Sequence, residues 1–498
     1  MHEKFSHGDE NKINVYEAIA YCLGDIIGSG IFVSPTAILR HTGCVGLSLC
    51  VWIISAIIAV IGALVYVELG TKIRKSGCDF AYISHVGWHP LAVGFLWVSV
   101  TLTYPTILAI QTLTFGEYIV QGLHKLMCIE DAWRDALRRL IGFIALGVLV
   151  FINMFSLRNF AGRFQVAVTF SKLCVISIII CTGAYFIIFK GKTGIFDTAF
   201  TNSNTDLGSI MLGVYAGLFA YNGWDILNFG TEEIENPRRT LPIAALGGIG
   251  FSAIVYIAMN IAYFSVMTVD EFLVSDAVAV TFAEYTLGDF CYIVPFLIAF
   301  LLLGNLNTTI FGCSRYLLAG AKRNVAPTMV KCVHENSMSP RAAVLVEFFI
   351  AVLLSFMGDL DQLISYMSFA MWMQRTCSQV ALLYMRFNDW PFPKDAFRTP
   401  IILPIIFLMI SISLLVIPAR KDPHIVIYGC SAVIAGLIIY FAFIYTDNRP
   451  SCLRSANGIN SLLTLRKLLF SEWSVKVTQI ILNVVPMDDE DGQLAIKS

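Results

Sequence analysis

The chain has 498 residues, 57% of them hydrophobic and only 14% charged, with a formal net charge of -1. A soluble domain of this length has too little interior to hide that much apolar surface, so lipid must cover it. The near-neutral charge argues against nucleic acid as a partner, and the polar start MHEKFSHGDENK shows no cleavable signal peptide.

In chain order, apolar segments long enough to cross a bilayer as helices fall near 15–39, 45–71, 87–121, 139–157, 164–189 and 208–230. Further segments follow near 240–267, 279–320, 341–357, 362–386, 400–418 and 424–446, which makes roughly twelve. The third and eighth are too long for one perpendicular crossing and must tilt or project beyond the membrane. The expected organisation is a polar N-terminus over 1–12, an all-α integral membrane domain over 13–447 and a polar tail over 448–498.

Basic residues set the expected sidedness. With the N-terminus in the cytoplasm, Lys72, Arg74, Lys75, Arg158, Arg163, Arg238, Arg239, Lys322, Arg323, Lys331, Arg386, Lys394 and Arg398 fall inside. The outer loops then hold few basic residues, and the loop near 268–278 has Asp270, Glu271 and Asp276 with no lysine or arginine. This bias places both termini inside. Arg134, Arg138 and Arg139 are the exception, partly balanced by Glu130, Asp131 and Asp135.

The informative positions are those where a helix should fail. The first segment contains Gly28-Ser29-Gly30-Ile31-Phe32 and then Pro35, and paired glycines weaken a helix in mid-membrane. Small residues also serve close helix packing, so that motif alone carries two readings. The sixth segment repeats the pattern with Phe219-Ala220-Tyr221-Asn222-Gly223-Trp224, ahead of Asn228 and Thr231-Glu232-Glu233. Breaks at corresponding places in segments 1 and 6 are what an inverted repeat of five plus five helices requires. Where a helix unwinds, free N–H groups and the positive end of a half-helix can hold a carboxylate, while free carbonyls accept from an ammonium. A site offering both recognises the backbone of an α-amino acid.

The stretches IIGSGIFVSPTAIL, GALVYVELGTKIRKSG, FAYNGWDILNFGTEEIENPRRTLP and NVVPMDDED closely resemble the light chains of heteromeric amino acid transporters, over about residues 13 to 490. The resemblance implies twelve transmembrane helices with the five-plus-five repeat, broken helices 1 and 6, and sodium-independent exchange. It implies a substrate site at Ile26, Ile27, Gly28, Ser29, Gly30 and Ile31 on the first break, and at Phe219, Ala220, Asn222 and Gly223 on the second. Ser29 and Gly30 would offer amides to the carboxylate. Ile26, Phe219 and Asn222 would offer carbonyls to the ammonium, and Phe219 would close over the substrate as a gate. Phe219 otherwise reads as a lipid-facing or core phenylalanine.

Charged groups inside spans are functional candidates because burying them is costly, and four qualify: Asp25, Lys172, Arg315 and Arg375. The resemblance makes Lys172 a fixed substitute for a bound sodium ion; the alternative is a lysine snorkelling to the cytoplasmic surface near Arg163. Asp25 departs from the family pattern, and can pair with Lys172, attract a cationic substrate or face a watery vestibule. Arg375 departs too, and either pairs with an acid or faces a cavity; it keeps a non-transporting amino acid sensor in view. Arg315 matches the family and reads as structural. Tyr104 stands before Pro105 where anion carriers of the family, and many neutral carriers too, have a basic residue, and its absence argues against acidic substrates. With the neutral Asn222, these positions favour neutral amino acids, and Asp25 keeps cationic or polyamine-like ones open.

Most of the thirteen cysteines, such as Cys22, Cys50, Cys174, Cys181 and Cys313, lie in apolar stretches and pass as small hydrophobes. Cys128 is different, set in the outer, polar HKLMCIEDAWRD, where the resemblance implies a disulfide to a single-span glycoprotein heavy chain. The N-x-S/T match at Asn307-Thr308-Thr309 falls inside a span, which fits a subunit whose partner carries the sugars. No metal, no cofactor and no enzymatic activity are expected, since no metal-ligand spacing and no HExxH or GxSxG signature stands out. An amphipathic stretch over 461–484, with Arg466 and Lys467, is expected to lie on the inner leaflet, ahead of the acidic run Asp488-Asp489-Glu490-Asp491. The segment around Val485-Pro486 resembles one that packs under the transporter. The plasma membrane is the expected location.

Overall fold

The computed structural model describes residues 14–75, 77–124, 130–155, 158–191, 198–275, 277–334, 339–391, 393, 396–441, 472–482 and 484–486. Helix dominates. The first predicted span is two helices, α1 (Val15–Ile26) and α2 (Gly30–Thr42), separated by Ile27-Gly28-Ser29. Next come α3 (Val45–Lys72), α4 (Cys78–His85) and α5 (His89–Val98). A π-helical turn at Ser99–Thr103 joins α5 to α6 (Tyr104–His124), so the long third segment is one rod with a local widening at its centre. After α7 (Asp131–Phe155) and α8 (Arg158–Lys190), the sixth segment is α9 (Leu207–Ala220), a turn, and a 3-10 helix at Ile226–Glu233.

Beyond α10 (Pro237–Val266) and α11 (Val269–Val274), the structure corrects the eighth segment. The apolar stretch 279–320 is not one tilted span: α12 (Val278–Thr286) ends at a 3-10 turn over Gly288–Tyr292, and α13 (Val294–Lys322) starts afresh. Leu287 to Tyr292 stay largely apolar, so hydropathy alone gives no sign of the interruption. The rest are α14 (Arg341–Leu354), α15 (Leu360–Phe387), α16 (Ile402–Lys421), α17 (Pro423–Ile439) and α18 (Glu472–Leu482). Among the described residues, seven helices are long and apolar enough to cross a membrane by length and composition.

The body is apolar outside, and its otherwise apolar interior holds a set of charged side chains. Leu140, Ile144, Val148 and Phe151 form an exposed stripe along one face of α7, at helical spacing. Ile427, Ile434 and Ile438 do the same on α17. The interior instead buries Glu68, Asp79, Lys172, Arg375 and Arg386. That inversion suits a hydrocarbon solvent and makes no sense in water.

Each of these five has a hydrogen-bond partner, whereas the carboxylate of Glu347, buried on α14, has none among the described residues. Arg386 of α15 grips Glu68 of α3 with Nε donating at 2.7 Å and Nη2 to the other oxygen, and the Thr399 amide donates to the same carboxylate at 3.0 Å. Arg386, expected on the inner side from sequence, closes α15 with its side chain buried against Glu68. At a rim, Asp206 caps α9 by accepting from the amides of Gly208 and Ser209, and the hydrogen bond from Lys421 at 2.5 Å holds its carboxyl down at about 2. Val485–Pro486 (β2) pairs antiparallel with Cys332–Val333 (β1), and Arg341 at the start of α14 donates to the Leu482 carbonyl at the end of α18. Residues 461–471, the acidic run and Cys128 lie outside the described residues.

Candidate substrate site at two helix breaks

The two glycine-marked motifs are both real interruptions, and they meet. In the first, Ile27 still donates to Leu23, but the amides of Ser29 and Gly30 donate to no backbone carbonyl among the described residues. They stand at the N-terminus of α2, where the first amides of any helix lack partners and the dipole is positive. In the second, α9 ends at Ala220, Asn222 donates to the Phe219 carbonyl at 3.1 Å, and Gly223 turns the chain at φ +106°. That left-handed conformation suits glycine. A Cβ at Gly223 would also fall 2.5 Å from Oδ2 of Asp25. Gly30 sits so close to the other break that a Cβ there would lie 2.4 Å from Cα of Ala220.

A cavity with an empty volume of about 610 Å³, open solvent included, lies between the breaks, α6 and α13. Asp25, Ile26, Gly28, Ser29 and Gly30 line it from the first break, and Phe219, Ala220 and Asn222 from the second. Tyr104 and Gln111 of α6 and Asn305, Thr308, Thr309 and Cys313 of α13 form the opposite wall. Ile27 and Ile31 are buried in the hydrophobic core, and Gly223 backs onto Asp25. Phe219 is 6% exposed and packs on Ile107, Ile110 and Met371, so it does not face lipid. Tyr104 rests against Tyr316 with ring centroids 5.3 Å apart.

Lys172 does not snorkel. It is buried on α8, and its ammonium donates to the carbonyls of Gly24 at 3.1 Å and Ile27 at 2.9 Å, and to Oδ1 of Asn305 at 3.4 Å. Its charge thus supports the carbonyls that α1 loses where it stops. No ion pair within 4 Å joins Lys172 to Asp25 among the described residues, so Asp25 belongs to the cavity wall. Arg315 is a surface residue of α13, its guanidinium over the Phe311 ring.

Three features escaped the sequence reading. Tyr256 of α10 places its hydroxyl 2.6 Å from the Ile26 carbonyl and 3.0 Å from the Ala220 carbonyl, bridging the two breaks. One hydroxyl proton serves one of them at a time. Asp225, within the quoted motif yet not singled out, accepts from Nη2 of Arg375 at 3.0 Å. The same nitrogen donates to Oδ1 of Asn222 at 3.0 Å, and the guanidinium lies 4.6 Å from the Trp224 ring centroid. Behind them Asp79 of α4 accepts from Tyr66 at 2.5 Å, Ser378 at 2.7 Å and Gln374 at 3.3 Å. An acid within four residues of a break, in an apolar span, was the signal available for Asp225.

An apolar-skinned helical body with two broken helices facing one small cavity is a multi-pass membrane transporter. The profile of the amino acid permease family matches residues 13–452, and the chain belongs to that family. It is 40% identical to amino acid transporter protein 6 of Caenorhabditis elegans, over 97% of this chain and 91% of the relative. It is 33% identical to the human cystine/glutamate transporter, over 97% and 92% of the two chains. It is also 33% identical to large neutral amino acids transporter small subunit 2 of Oryctolagus cuniculus, over 92% and 84%. These relatives are transporters, not enzymes, in agreement with the family read from the motifs.

Proposed function

We propose that the protein is a sodium-independent antiporter preferring neutral amino acids, the light subunit of a heterodimer in the plasma membrane. The observation that carries this is the pair of breaks meeting at one cavity, with the unpaired amides of Ser29 and Gly30 on one side and Lys172 fixed behind them. The amides would take the substrate carboxylate, and the carbonyls of Ile26 and Phe219 with Asn222 would take its ammonium. The Ile26 carbonyl keeps a free lone pair beside Tyr256, so that role stays open to it. In this reading twelve spans in a five-plus-five inverted repeat rock around the site, with both termini cytoplasmic. Asp25 on the cavity wall favours one second reading, a carrier of cationic amino acids.

The deciding experiment is uptake of labelled neutral, cationic and acidic amino acids into proteoliposomes, with and without internal amino acid and sodium. Neutral uptake that needs internal amino acid and ignores sodium supports the proposal. Saturable binding without flux, with a heavy chain present, would replace it with a sensor. Phe219→Ala is expected to cut flux by about tenfold or more while surface delivery holds, the order of effect of removing a large packed aromatic. Unchanged flux removes Phe219 as a gate. For Cys128, a higher-mass band from native membranes that disappears with reductant is the expected result, and no such band ends the covalent-partner proposal.

A further inference from the structure

Each break is held by one cation from a later helix. Lys172 of α8 holds the first through backbone carbonyls, and Arg375 of α15 holds the second through the side chains of Asn222 and Asp225. Arg375 is 2% exposed. A guanidinium has donors only, so the carboxamide of Asn222 must turn its oxygen toward Arg375. The amide nitrogen of Asn222 is then the group left for the cavity that the residue lines. Asp225 sits between two cavity-lining residues, Asn222 and Ile226, with its charge taken up by Arg375. Around the cavity the acids Asp25 and Asp225, with the hydrogen-bonded Asp79 behind them, face the bases Lys172 and Arg375.

We propose that Arg375 sets the charge class of the substrate, by cancelling Asp225 and by orienting Asn222 so that a neutral donor faces the cavity. It is a positioning residue, acting through Asn222 and Asp225. The proposal rests on the reading that the cavity carries amino acids. Without Arg375 the Asp225 carboxylate is uncompensated in a low-dielectric site, and the site gains a net negative charge that favours cationic side chains. Without Asp225 the imbalance has the opposite sign.

The test is uptake of labelled leucine, arginine and glutamate into proteoliposomes containing the wild type, Arg375→Gln, Asp225→Asn or the double variant. Arg375→Gln is expected to raise the arginine-to-leucine ratio by about tenfold or more, and Asp225→Asn the glutamate-to-leucine ratio similarly. The double variant should return both ratios to within about threefold of wild type, because an uncharged pair leaves no imbalance. A purely structural role would lower all three fluxes together and leave the ratios flat, which overturns the proposal. If Arg375→Gln does not fold, Asp225→Asn still decides, since an unchanged glutamate ratio overturns it. A wild type that carries none of the three overturns the transport reading itself, whereas wild-type flux with flat ratios in the variants overturns only the role of Arg375.

Discussion

Gly30→Ala is expected to reduce transport to background, a loss on the order of 100-fold, with the protein still folded and delivered to the membrane. The reason is contact between two backbones. A Cβ at position 30 would lie 2.4 Å from Cα of Ala220 and 3.2 Å from its nitrogen, neither of which can swing aside as a side-chain tip can. α2 and α9 must separate, which moves the amides of Ser29 and Gly30 away from the second break. Gly24→Ala is the matched control, because a Cβ there meets nothing within 4 Å. Flux in the Gly24 variant should hold, and the Lys172 bond to the backbone carbonyl of residue 24 survives the change. Retained flux in the Gly30 variant would mean that the two breaks need not touch, and the site as drawn would fail.

The second large effect concerns stability. Glu68 is fully buried and receives Arg386, the Thr399 amide and the Thr399 hydroxyl, the last at 2.5 Å. Glu68→Ala would leave a guanidinium buried in an apolar body with its main acceptor gone. Removing one partner of a buried pair costs about 3–5 kcal/mol, whereas an exposed bridge such as Asp206–Lys421 is screened by solvent. The variant should show a lower melting midpoint in detergent and poor recovery as a monodisperse species, while loss of the rim pair should barely register. An unchanged midpoint for Glu68→Ala would show that water or another acceptor reaches Arg386.

The difference between these two residues also shows what could be read in advance. Gly30 was legible because unwinding a helix in lipid needs residues that tolerate it, and paired glycines are rare enough in a span to stand out. Asn222 and Gly223 were legible on the same ground. The pairing of Arg386 was not legible, because the residue closes an apolar run, where a basic residue reads only as a sign of sidedness. Its partner lies 318 residues away, and no local pattern carries that. Arg375 posed the same problem, as its two partners lie 153 and 150 residues back. Tyr256 gave no signal at all: a tyrosine in an apolar helix is ordinary until a hydroxyl-sized gap between two broken helices is known to face it. The interruption between α12 and α13 was missed because its 3-10 turn keeps its hydrophobicity, and membrane propensity and helical continuity are separate properties.

The tethered ammonium of Lys172 bears on the economy of ion gradients. A metal ion held at Gly24, Ile27 and Asn305 would come and go with its bulk concentration, and each departure on the far side would carry electrical work with it. A lysine side chain has no bulk concentration and never departs. The contact is as full in a cell with a collapsed ion gradient as in a healthy one, and it draws nothing from that gradient to drive accumulation. In the exchange proposed above, any asymmetry the cycle produces at this position would come from the amino acids on the two sides.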